Sequence, residues 1–137
     1  MVKKIRPALS FAACLVLSGA ATLAAAQSAM PAMRGEGAAR YVCGGIGSDE
    51  STAFRASMKE HPLALLFARA DGAYEADVAV SIQDEKNITA LAFRASGPVC
   101  LIDLPAGKYV VNADAGSASK KQSVTVGGGS KSVDFRF

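Results

Sequence analysis

Residues 97–113 read GPVCLIDLPAGKYVVNA, and the fold turns on how this stretch is divided. Two short apolar runs, residues 99–104 and 109–113, flank Pro105-Ala106-Gly107. Proline presets φ for the second position of a β-turn, and glycine opens left-handed backbone at its exit. The spacing therefore predicts a hairpin. Side chains alternate between the two faces of a strand. Cys100, Ile102 and Leu104 thus share one face of the first run, and Tyr109, Val111 and Ala113 share one face of the second. This hairpin is expected at the centre of a small β-sandwich.

The flanking sequence carries the same period. Residues 63–70, LALLFARA, are apolar on both faces and predict an interior strand. Residues 74–83 alternate, with Ala76, Val78, Val80 and Ile82 inward. A polar turn at residues 84–87 leads into residues 88–95, where Leu91 and Phe93 point inward. Beyond the central stretch, a turn within 114–120 precedes a strand at 122–126 with Val124 and Val126 inward. Gly127-Gly128-Gly129 then turns the chain into 132–137, with Val133, Phe135 and Phe137 on one face. Upstream, residues 40–46 form a first strand carrying Cys43. Residues 48–60 form the single helix: Ser48 at the N-cap, Asp49 and Glu50 in the first turn, Phe54 and Met58 on the packing side, and Pro62 as the stop. The expected fold is all-β: a seven- to eight-strand antiparallel sandwich with one short helix near the N-terminus. Strands this short fall below the roughly 9–11 residues a membrane-spanning strand needs, and their apolar faces point inward, which argues against an outer-membrane barrel.

The N-terminal segment reads differently. Lys3, Lys4 and Arg6 precede an apolar, small-residue run at 9–23, and Ala24-Ala25-Ala26 offers a cleavage site between Ala26 and Gln27. Residues 1–26 are therefore expected to be a secretory signal peptide, with a flexible tether at 27–39 and the folded domain at 40–137. The mature form is expected not to span a membrane, and to be periplasmic or secreted. Of the chain's 15 Lys and Arg, three lie in the leader, which holds none of the 12 Asp and Glu. The remainder is balanced at 12 of each, which gives no reason to propose nucleic acid as a partner. Two cysteines remain outside the leader, Cys43 and Cys100, 57 positions apart. In an oxidising compartment they predict one structural disulfide; a buried free pair and a redox couple are the alternatives.

Candidate chemistry is sparse. Gly44, Gly45 and Gly47 match neither a P-loop nor a dinucleotide fingerprint. Met30 and Met33, in the tether, are too few thioethers to argue copper. No metal-ligand spacing or cofactor motif is apparent. His61, the chain's one histidine, is expected as an exposed linker residue beside Pro62, and Asp103 as an outer-face carboxylate bonded to turn amides. No catalytic residue is expected.

Three pieces carry a resemblance. Gly72-Ala73-Tyr74-Glu75-Ala76-Asp77-Val78-Ala79-Val80-Ser81-Ile82, Gly97-Pro98, and Leu104-Pro105-Ala106-Gly107-Lys108-Tyr109-Val110-Val111-Asn112-Ala113 together resemble carboxypeptidase regulatory-like domains, a likeness that extends back to Gly45-Ile46-Gly47-Ser48-Asp49-Glu50. The resemblance implies a transthyretin-like (prealbumin-like) sandwich and an accessory rather than catalytic role. Enzymes on similar sandwiches do not fit. Hydroxyisourate hydrolases use several histidines, and intradiol dioxygenases use two His and two Tyr around iron, whereas this chain has one histidine. Three functions stay open. One is a non-enzymatic exported module contacting a protein or envelope component. Another is a small-ligand carrier or envelope stress protein with a pocket between sheet and helix. The third is an unrecognised enzyme, which a buried Asp103 beside a second titratable group would favour.

Overall fold

The computed structural model describes residues 30–137. The expected signal peptide, its cleavage point between Ala26 and Gln27, and residues 27–29 of the expected tether lie outside the described residues. Nine strands and one helix follow in the order β1 (Arg34–Glu36), β2 (Ala39–Gly44), α1 (Ser48–Ser57), β3 (Leu63–Ala68), β4 (Ala79–Asp84), β5 (Thr89–Arg94), β6 (Val99–Asp103), β7 (Gly107–Asp114), β8 (Ser119–Val126) and β9 (Lys131–Arg136). They build two facing sheets, one in the order β1-β2-β6-β3-β9 and the other β5-β4-β7-β8. There are thus nine strands rather than seven or eight. The sheets are not wholly antiparallel either, since β3 and β9 pair in parallel, Leu65 opposite Val133 and Phe67 opposite Phe135.

The expected central hairpin does not form. β6 lies between β2 and β3 in the five-stranded sheet, and β7 lies between β4 and β8 in the other. Leu104-Pro105-Ala106 is a corner that carries the chain from one sheet to the opposite one. The physical reason lies in β6, where Val99, Cys100, Leu101 and Ile102 are all buried. A strand apolar on both faces needs cover on both, which an interior position beneath a helix supplies. Pro105 has no N–H to extend a ladder. The hydroxyl of Tyr109 ties the corner by donating to the Pro105 carbonyl at 2.7 Å, and Gly107 does not use the left-handed region.

The alternation itself holds on the inner faces. Leu63, Leu65, Phe67, Cys100, Ile102, Val133 and Phe135 from one sheet meet Val78, Val80, Ile82, Leu91, Val111, Ala113, Val124 and Val126 from the other. Phe67 stacks on Phe135 with ring centroids 5.7 Å apart. One flank of the sandwich is closed by Tyr41 stacked on Phe93 at 4.1 Å. The other is bridged by Gln122 Nε2, which donates to the Asp134 carbonyl at 2.9 Å. Ala76 departs from its expected inward position and is exposed. Asp77 takes φ 59°, which breaks the extended chain before β4 begins, and Arg94 Nη1 holds that kink through the Asp77 carbonyl at 2.8 Å.

A second, smaller cluster lies on the outer face of the five-stranded sheet, where Val42, Phe54, Ala64, Val99 and Leu101 are buried under α1. Burying a side chain such as Phe54 contributes about 1.5–3 kcal/mol. The helix sits close because β2 ends in glycine there: a Cβ on Gly44 would lie 2.6 Å from the Phe54 ring. A 3₁₀ turn, Met58–Glu60, continues α1 to His61. The N-cap is Gly47 rather than Ser48. Part of the expected tether is ordered. Arg34–Glu36 pairs with β2, and Met30 and Met33 pack against the outer cluster. Among the described residues no helix is long and apolar enough to cross a membrane.

Candidate functional site: a cleft at the head of α1

Between the end of β2 and the start of α1 the chain makes a glycine-flanked loop, Gly45-Ile46-Gly47, with φ of 95° and 86° at its two glycines. Such angles exclude most side chains, and the loop projects its one large residue outward. Ile46 is 63 % exposed. The loop is held from behind by Glu50, whose Oε1 accepts the Gly45 N–H at 2.9 Å, and by the first helical bond, Ser51 N–H to the Gly47 carbonyl at 2.9 Å.

Tyr74 stands across from it, 55 % exposed. It belongs to the connection between β3 and β4, where it pairs with Ala68 as an isolated bridge. The Arg55 guanidinium from α1 lies 5.7 Å from its ring centroid and donates to its hydroxyl at 2.9 Å. Arg69 Nε and Glu75 Oε2, 3.0 Å apart, pin the same connection. Ile46 and its flanking glycines, Tyr74, Ala76, Pro98, Ser48 and Ser51 line an open cleft of about 470 Å³. Its walls are apolar, with a few hydroxyls at the helix end. A furrow of about 520 Å³ along the outer face of the other sheet is lined by small and polar residues such as Ser81, Asn112 and Lys121. None of the large apolar side chains exposed among the described residues lies on its walls.

The sequence-predicted residues fall elsewhere. Cys43 and Cys100 face each other across β2 and β6 and are joined by a disulfide, Cα–Cα 4.1 Å, inside the main core. His61 is not the expected exposed linker residue. The turn after α1 brings it back over the sheet, where its Nδ1 lies 2.7 Å from Asp103 Oδ1. Asp103 is on the outer face of β6 as expected, but its partner is this ring rather than turn amides. The two side chains are 17 % and 37 % exposed. The pair has the orienting half of a base–nucleophile arrangement, and Asp103 is the ring's hydrogen-bond partner among the described residues. Among the described residues no three His, Cys, Asp or Glu side chains converge as metal ligands. Tyr109, in the corner, has its hydroxyl pKa pushed up by burial and, to a lesser degree, by the Asp84 carboxylate.

Sequence reasoning passed over Ile46 and Arg55. The usable signal was a large β-branched residue between two glycines, which packing alone does not explain. No protein-family model, curated protein or solved structure matches this chain.

Proposed function

We propose that the protein is an exported, non-enzymatic binding module of the carboxypeptidase regulatory-like kind, with a transthyretin-like sandwich, that engages an apolar segment of another protein of the cell envelope through the cleft at the head of α1. The observation that carries this reading is the placement of Ile46 and Tyr74. They are two of the three large apolar side chains exposed among the described residues, and both face the same hollow. Exposed apolar groups gathered in one concavity mark contact surfaces, whereas the same groups scattered singly need no explanation. Strand-edge contact is less favoured at three of the four sheet edges, β1, β8 and β9, which are short or charged; the fourth, β5, carries the single charge of Arg94. β1 is three exposed residues, Arg34–Glu36, and β8 and β9 carry Lys120, Lys121, Lys131, Asp134 and Arg136. Export is supported by the leader-like residues 1–26 and by the disulfide.

A photoreactive phenylalanine analogue placed at position 46 tests this in cells producing the full chain, with the same analogue at position 88 as control. Ile88 is equally exposed, at 60 %, in the polar turn between β4 and β5. One defined protein adduct at 46 and none at 88 is the expected result. No adduct at 46, or the same adducts at both positions, would remove the proposal. A second reading, a carrier of a small apolar ligand, is favoured by the cleft's volume, which lies within the roughly 300–1,000 Å³ of small-molecule sites. A ligand-sized mass retained by the purified chain and lost with I46S would select it.

A further inference from the structure

The chain has two asparagines, Asn87 and Asn112. Asn112 lies within β7, a strand paired on both sides, and is followed by Ala113 and Asp114. Asn87 opens Asn87-Ile88-Thr89, an asparagine with a hydroxyl two residues on and no proline between them. That spacing is the acceptor pattern for N-linked glycosylation, and it has meaning on the surface of an exported chain. Glu85, two residues ahead of Asn87, adds a carboxylate at the same spacing on the other side.

The fold presents this pattern at a turn. Residues 85–88 connect β4 to β5, and Glu85 through Thr89 are all exposed. Asp84 holds the turn. Its Oδ1 accepts the Lys86 N–H at 2.9 Å and the Ile88 N–H at 3.0 Å, and its backbone carbonyl accepts the Asn87 N–H at 3.0 Å. The side chains of Glu85, Asn87 and Thr89 make no hydrogen bond among the described residues. Asn87 takes φ 62°, a backbone that aspartate or glycine also fits, so the turn itself does not require the amide. Just beyond it the ladder slips: Ile82 faces Leu91 while Gln83 faces Thr89, which leaves Ala90 without an opposite residue. β5 is an edge strand, paired with β4 alone. A segment with one irregular neighbour can open locally and enter an enzyme while the core stays shut.

We infer that Glu85-Lys86-Asn87-Ile88-Thr89 is an N-glycosylation site, read through the Thr89 hydroxyl and the Glu85 carboxylate by an oligosaccharyltransferase of the membrane the chain crosses. The donor is a polyprenyl diphosphate-linked oligosaccharide. Asn87 Nδ2 forms a bond to C1 of the first sugar as the bond from C1 to the diphosphate oxygen breaks. The polyprenyl diphosphate leaves with that electron pair, and the amide gives up one proton to balance it. The sugar has a use at this place. β5 is the one sheet edge that is neither short nor heavily charged, and its single charge, Arg94, stands at its far end. A bulky hydrophilic group beside its first residue shields an edge that is otherwise open to pairing with another chain. The site rests on the export reading but not on the cleft: Ala76, in the cleft wall, precedes β4, and Asn87 follows the opposite end of that strand.

The full chain is produced in the cells it comes from, recovered from the exported fraction, and weighed both intact and as peptides. The expected result is the mass of the chain plus one oligosaccharide, carried on the peptide that contains Asn87. N87D, which fits the same left-handed backbone, and T89V, which keeps the branched strand residue, should each lose the added mass entirely. T89S should keep it, and E85Q should lose most of it. An exported chain without added mass, added mass that survives N87D or T89V, or E85Q at wild-type occupancy would each overturn the inference while leaving the export reading and the cleft standing. A chain absent from the exported fraction would overturn it together with the export half of the proposed function.

Discussion

Tyr109 shows how one side chain can decide a connection. Its hydroxyl donates to the Pro105 carbonyl at 2.7 Å, and its ring belongs to the main core. Replacing it with phenylalanine keeps the ring and deletes the bond, which should cost about 0.5–1.5 kcal/mol in denaturant unfolding. The pH dependence has a definite sign. Burial, and then the Asp84 carboxylate, hold the hydroxyl pKa above its ordinary value of 10.0 in the folded chain. The resulting stabilisation is complete below the unfolded value and disappears as pH rises through the folded one. Wild type minus Y109F should therefore be constant through neutral pH and shrink above about pH 10. A difference that grows with alkalinity would contradict the assignment. At this scale much was hidden from the sequence. His61 and Asp103 are 42 positions apart, and nothing local to either announces the other. The φ of 59° at Asp77 is likewise set by the long connection and by Arg94, in a stretch whose alternation reads as unbroken strand.

Elements were more legible where burial is one-sided. The period of two from Val78 to Ile82, from Tyr109 to Ala113 and from Val133 to Phe135 places those side chains inward, and they are buried there. The helix was legible from its acidic first turn and from Pro62, and its terminal residues form a 3₁₀ turn instead of continuing. Its docking depends on Phe54, fully buried against Val42, Ala64, Val99 and Leu101. F54A should destabilise the chain by about 3–5 kcal/mol, because the glycine-lined contact beneath it cannot collapse to fill the space. Thermal or denaturant midpoints check this, and a loss well under 1 kcal/mol would mean that α1 is held by something else. The partner of a strand is less legible than its faces. β6 pairs with β2 and β3 because it needs cover on both sides, a requirement visible in residues 99–102. The identity of its neighbours depends on strands far away in the chain.

Across the whole molecule, two clusters share one five-stranded sheet. The inner cluster makes the sandwich, and the outer one seats α1, whose first turn lines the cleft. The disulfide joins the central strand of this sheet, β6, to its neighbour β2, with Cys43 opposite Cys100. Its loss in C43A/C100A should cost about 2–5 kcal/mol, near 4 kcal/mol by the loop-entropy estimate for this separation. Unfolding of that variant, and of wild type with and without reductant, should show the same deficit. An unchanged midpoint would show that the bond constrains little. The cleft itself was not legible as a site. Its walls come from the loop after β2, the head of α1, the connection after β3 and Pro98, brought together only when the sheet forms.

All of this depends on the chain changing sheets at Leu104-Pro105-Ala106, and backbone proton contacts measured by NMR test that most directly. Cross-strand contacts are expected from Leu101 to both Val42 and Ala64, and from Val111 to both Ile82 and Gln122. No backbone ladder is expected between residues 99–103 and 108–112. A continuous antiparallel ladder between those two runs, closing at Pro105, would place them in one hairpin and contradict both the fold and the sites built on it.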